Sequence, residues 1–146
     1  MQPDIHLNYL AILAAMLANI AIGFGWYGPL FGKAWMKEVG MSPDHKPAPG
    51  VMTRAMILMV IGAFLTVFVL AHSVEVWRPS SWKLGPDAPS ATYGFYSAFF
   101  TWIGFYVPLL LSGVAWENKS WKLFSINAGY YFTALLAAGM ILAFWR

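Results

Sequence analysis

The sequence predicts an all-α fold: an integral membrane four-helix bundle arranged as two parallel helical-hairpin repeats. Three observations predict it. Composition is the first. Of all residues 60% are hydrophobic and only 10% charged, whereas a soluble domain carries about a quarter charged residues. The chain lacks the polar side chains to cover a soluble surface. The second is where charge is absent. Residues 7–32, 55–74, 88–116 and 123–145 contain no Lys, Arg, Asp or Glu. Each stretch has about the 20 residues or more that a helix needs to cross a bilayer. Lipid offers no partner for backbone polar groups, so each stretch should be helical. The third is a repeated phrase: "GWYGPLFGKAW" from Gly25 returns as "GFYVPLLLSGVAW" from Gly104.

Residues 1–146 read as a single transmembrane domain with helices over residues 7–30, 54–76, 91–116 and 122–144. The leader before the first helix has an Asp and no Lys or Arg, unlike a cleaved signal, so that helix should be retained. Neither end shows a lipidation motif. The loop over residues 36–53 holds Pro43, Pro47 and Pro49 and is a poor helix. The second helix follows it. The next loop, residues 75–90, has three prolines and places Trp77 and Trp82 at the membrane surface. Ser90 is placed to cap the third helix. "ENKSW" then joins it to the fourth, a link so short that these two must be antiparallel neighbours.

Lys33, Lys37, Lys46, Arg54, Lys119 and Lys122 fall on one side, and Arg78, Lys83 and Arg146 on the other. The bias predicts that the first side is cytoplasmic and both termini lie outside.

A short insertion inside residues 110–112 aligns the two phrases, and "GAFLT" from Gly62 is echoed by "GYYFT" from Gly129. Two helices per unit give both units the same orientation, so the implied pseudo-twofold axis lies along the membrane normal. Pro29 and Pro108 cannot donate to the carbonyls of Gly25 and Gly104, four residues back. A freed carbonyl in lipid is costly unless another group satisfies it. Each phrase should therefore give a kink, an acceptor and a glycine surface for a neighbouring helix. Tyr27 and Tyr106 precede the prolines. Asn127 and Tyr131 share a face of the last helix in the same half of the membrane and could reach those carbonyls. Gly25, Tyr27, Pro29, Gly104, Tyr106, Pro108, Asn127 and Tyr131 are thus the candidate polar or kink site, with helix bending and interhelical hydrogen bonding as the plainer role. Asn19 lies mid-way along the first helix, which also carries a small-residue stripe of Ala14, Ala18, Ala21 and Gly25 for helix packing.

His72, Glu75 and Arg78 share one face near the end of the second helix and read as an interfacial cluster. One His-x-x-Glu is too little for a bundle metal site, so no metal and no cofactor are expected. The chain has no cysteine, which removes thiolate chemistry. No catalytic motif is present, and no basic cluster suggests nucleic acid. The charge-free helices also lack the embedded ionisable group usual in ion-coupled transport.

"WYGPLFGKAWM" from Trp26 and "INAGY" from Ile126 are the most specific parts of a resemblance, along nearly the whole chain, to the bacterial membrane proteins of domain-of-unknown-function family 1761. The resemblance implies a small polytopic protein of a bacterial inner membrane and carries no activity, substrate or cofactor. The expected function is a non-enzymatic structural or accessory membrane component. Its partners would be the lipid bilayer and a homo-oligomer or larger membrane complex. The alternative is a small homo-oligomeric transporter or channel for neutral or uncoupled cargo.

Overall fold

The computed structural model of the protein describes residues 2–42, 44 and 46–146; Pro43 lies outside them. Among the described residues the fold is all-α. Four helical spans are long and apolar enough to cross a membrane: Tyr9–Leu30, Pro49–Val76, Ser90–Glu117 and Trp121–Phe144. They run up and down in chain order. The first comprises helix α1 (Tyr9–Gly25) and a π turn (Trp26–Leu30), with a short α2 (Gly32–Glu38) after it. The second is α3 (Pro49–Val76), followed by a 3-10 turn (Pro79–Trp82). The third is α4 (Ser90–Thr101), a second π turn (Trp102–Tyr106) and α5 (Val107–Glu117), and the fourth is α6 (Trp121–Phe144).

The helix ends follow local chemistry. Asn8 caps α1, its side-chain oxygen accepting from the amides of Leu10 at 2.9 Å and Ala11 at 3.1 Å. Ser120 caps α6 by accepting from Leu123 at 3.0 Å. Helix α3 begins at Pro49 rather than near Arg54, because proline's missing N–H is no loss in a first turn. Ser90 does not cap α4. It is the first helical residue, and the carbonyl of Pro89 accepts from Thr92 at 2.9 Å. Asn118 ends α5 in the left-handed region at φ 53°. Trp82 turns back to donate its indole N–H to the Val76 carbonyl at 2.7 Å, closing α3, while Trp77 stays exposed.

The packed core lies at one end of the bundle. Ala11, Ala15, Val67, Leu70, Val74, Ala98, Leu135 and Ala138 are buried there. Helix α6 is central, packing against α1, α3, α4 and α5. Its closest approach is to α4, where a Cβ on Gly139 would lie 2.5 Å from the Gly94 carbonyl oxygen and one on Gly94 2.7 Å from that of Gly139. The docking glycines are therefore these two. Gly25 and Gly104, expected to receive a neighbouring helix, meet nothing within 4 Å of a Cβ position.

At the other end the helices part. Every residue of α3 over 49–62 is exposed, so the first half of that helix leans away from its neighbours. The bundle is tight at the end holding Arg78 and open at the end holding Tyr27.

Candidate functional site

Both proline phrases coincide with π turns, which pair a carbonyl with the amide five residues on. In the first, Phe31 N–H donates to the Trp26 carbonyl at 2.8 Å. The same register aims the Gly25 carbonyl at the amide of Leu30, past the missing donor of Pro29. This corrects the expectation of a freed carbonyl there: the widened turn absorbs the proline. The second π turn ends at Tyr106, two residues before Pro108, so the proline stands outside it. Among the described residues, no side chain donates to the carbonyl of Gly25 or Gly104; the Tyr27 and Tyr106 hydroxyls bond Asn127 and Thr66 instead.

What the widened turns do is aim rings at α6. Trp26 donates its indole N–H to the Ile126 carbonyl at 3.0 Å, and Trp102 donates to the Ala128 carbonyl at 2.9 Å. Gly129 leaves room for the first indole, since a Cβ there would lie 3.0 Å from Trp26. Next in sequence, the Tyr27 hydroxyl donates to Asn127 Oδ1 at 2.8 Å. Tyr106 and Thr66 share a hydroxyl–hydroxyl bond of 3.1 Å. The Tyr27 ring sits 5.0 Å from that of Tyr130, and the Tyr106 ring 4.5 Å from that of Tyr131.

Tyr27, Thr66, Tyr106, Asn127, Tyr130 and Tyr131 line one cleft of about 830 Å³ between α1, α3, α6 and the second π turn; the two indoles do not. Tyr27, Tyr106, Asn127 and Tyr131 of the sequence-derived set meet there. Gly25, Pro29, Gly104 and Pro108 do not; they shape the helices behind it. Asn19, Thr66 and Tyr130 belong to the cleft and were left out of that set. A signal for Asn19 was present, because Asn19, Gly23 and Tyr27 recur every four residues on one face of the first helix. Asn19 is 6% exposed and its Oδ1 has no hydrogen-bond partner. Among the described residues the cleft wall carries no Lys, Arg, Asp, Glu or His.

Charge gathers at the opposite end. Arg78 and Glu75 are 3% and 4% exposed. Arg78 donates to the Ala143 carbonyl at 2.8 Å and to Asp87 at 3.3 Å, and its guanidinium lies 4.8 Å over the Tyr93 ring. Its Nε is 3.1 Å from Glu75 Oε1, an ion pair in which the N–H is not aimed at the oxygen. Arg146 donates to Glu75 at 3.1 Å and reaches Asp87 at 3.4 Å. Desolvation raises the pKa of Asp87, but the backbone and hydroxyl donors of Ser80, with Arg78, outweigh it and hold the carboxyl below its ordinary value. His72 does not join this group as its spacing suggested. Its Nδ1–H donates to the Phe68 carbonyl of its own helix at 2.8 Å. Among the described residues no three His, Asp or Glu side chains converge as metal ligands would.

Residues 10–143 match the model of the family described as "Protein of unknown function (DUF1761)", and the chain belongs to that family. No curated protein and no solved structure matches it.

Proposed function

We propose that this DUF1761 protein binds a small uncharged molecule in the Tyr27 cleft and passes it across the membrane. One observation carries the reading: a cleft of about 830 Å³ that unites Tyr27, Thr66, Tyr106, Asn127, Tyr130 and Tyr131 and holds the unpartnered Asn19 oxygen. Ligand sites typically occupy about 300–1,000 Å³ and pair an apolar wall with a few converging polar groups. The structural or accessory role, motivated by the small-residue stripe of Ala14, Ala18, Ala21 and Gly25 on the first helix, makes no use of this cleft.

Two finer readings go with the proposal. The hairpins are a duplicated unit, supported by a π turn at or beside each phrase and by the equivalent tyrosines, Tyr27 bonding across to Asn127 of α6 and Tyr106 to Thr66 of α3. The Lys-rich end holding the cleft faces the cytoplasm of a bacterial inner membrane, with both termini outside, on the loop charge bias. In that orientation the cleft opens inward and the Arg78 network seals the outer side. Four helices rarely enclose a route alone, so the working form is a homo-oligomer.

The test is flux of a panel of neutral solutes into proteoliposomes. Uptake above protein-free vesicles, lowered several-fold by Asn19→Leu and by Tyr106→Phe, is the expected result. Uptake equal to empty vesicles across the panel, or insensitive to both variants, overturns the reading.

A further inference from the structure

We propose that the ligand of this cleft is a neutral amphiphile drawn sideways from the bilayer. Its hydroxyl-bearing head sits among Asn19, Tyr27 and Asn127, and its hydrocarbon tail lies along Phe24, Met52 and Met59. The inference rests on the reading of the cleft as a ligand site and adds the chemical class and the route of entry.

The head must be uncharged. Among the described residues the cleft wall has no ionisable group other than tyrosine, and an ion brought there would lose its hydration with no counter-charge from them to replace it. It must also donate a hydrogen bond. Asn19 Oδ1 is an acceptor buried without a partner, and such groups in native structures are usually satisfied. It must accept one too. Asn127 Oδ1 is already occupied by the Tyr27 hydroxyl, which leaves the Asn127 amide hydrogens to offer. A head with carbonyls alone would leave Asn19 unpaired. An alcohol, as in a monoacylglycerol, serves both asparagines.

The tail follows from the rest of the wall. Phe24, Met52 and Met59 line the cleft and are exposed on its flank. No helix covers α3 over residues 49–62, so the cleft communicates with the hydrocarbon around the bundle. Methionine suits a chain of variable shape, being flexible and polarisable. Gly62 also lines the cleft, and a Cβ there would meet nothing within 4 Å. The space for a tail is therefore continuous along α3.

The full-length protein in phosphatidylcholine nanodiscs would be labelled with a monoacylglycerol carrying a diazirine in its acyl chain, and labelled sites mapped by peptide mass spectrometry. Saturable labelling at Phe24, Met52 and Met59 is expected. Unlabelled monoolein should compete; glycerol, which lacks the tail, and oleate, which is charged, should not. Asn19→Leu should weaken apparent affinity at least tenfold. Gly62→Phe, which fills the tail path on an unpacked helix face, should do the same without touching the head site. Labelling spread evenly over all lipid-facing residues, and unchanged in both variants, overturns the amphiphile. Competition by a water-soluble neutral solute instead of monoolein would overturn it while leaving the cleft as a ligand site. Absence of competition by either would remove both readings.

Discussion

At the Arg78 end, alanines and glycines let four helices close on one another, and the loops above are tied by two arginines and two carboxylates. At the Tyr27 end the same helices stand apart around aromatic rings, and among the described residues no charged side chain lines the gap. The difference lies in what each helix presents to α6. Small residues shorten the helix–helix distance, and rings widen it. Glycine content does not decide the matter. Gly94 and Gly139 face each other and set the tight crossing, while Gly25, Gly28, Gly62 and Gly104 face open space. Stability is thus concentrated in one half of the bundle, and the proposed binding cleft occupies the half left free to move.

The largest effect should come from breaking the tight end. Arg78→Ala leaves buried Glu75 with the half-exposed Arg146 in place of two cations and removes the bond to the Ala143 carbonyl. Removing one partner of a buried pair costs about 3–5 kcal/mol, read as a lowered midpoint of denaturation in mixed micelles. A midpoint within error of wild type would mean that this network does not anchor the bundle. Gly139→Ala comes next. Its Cβ would collide with a backbone carbonyl rather than a side chain that can turn aside, and such overpacking costs about 1–3 kcal/mol. The comparison sharpens at Gly104→Ala, which adds the same methyl at the open end. It should be neutral or stabilising by about 0.5–1 kcal/mol, because the methyl meets nothing and alanine favours the helix. Equal losses at Gly139 and Gly104 would erase the distinction between the two ends.

Within the open end, Tyr27→Phe removes the only side-chain hydrogen bond of Asn127 among the described residues. Interhelical hydrogen bonds of this kind contribute about 0.6–2 kcal/mol. The same denaturation assay should show a loss near the lower figure, because the ring remains packed beside Tyr130. A loss as large as that of Arg78→Ala would make the cleft wall a structural element.

The four membrane helices were legible because absence of charge over about 20 residues is a physical requirement of the bilayer core. Tyr27, Tyr106, Asn127 and Tyr131 were legible as a group because chain direction put them in one half of the membrane. Two things were not. The π turns hide in the sequence, since a proline announces a disturbed helix without saying whether the helix bends or widens. The packing glycines hide as well. Gly94 and Gly139 sit in no repeated phrase, and their role depends on which faces meet when α4 crosses α6. Asn19 shows the same limit. Its spacing to Tyr27 was readable, but its burial without a partner is a matter of tertiary packing.

The smallest effect concerns acid. Asp87 lies in the loop before α4, outside the membrane-spanning segments, and faces Ser80, Arg78 and Arg146. Its folded pKa is held below the ordinary value. A carboxyl of that kind binds its proton more readily in the unfolded chain, where its pKa is about 3.9. Its contribution is therefore complete well above that pH and is lost as pH falls through the lower folded value. Wild type should lose stability on acidification below about pH 4. Asp87→Asn should be less stable than wild type at neutral pH and should converge with it in acid. Glu75 shares both arginines, so the difference between the two proteins isolates Asp87 from it. Parallel stability curves down to about pH 3, with no convergence, would mean that protonating Asp87 does not loosen the tight end.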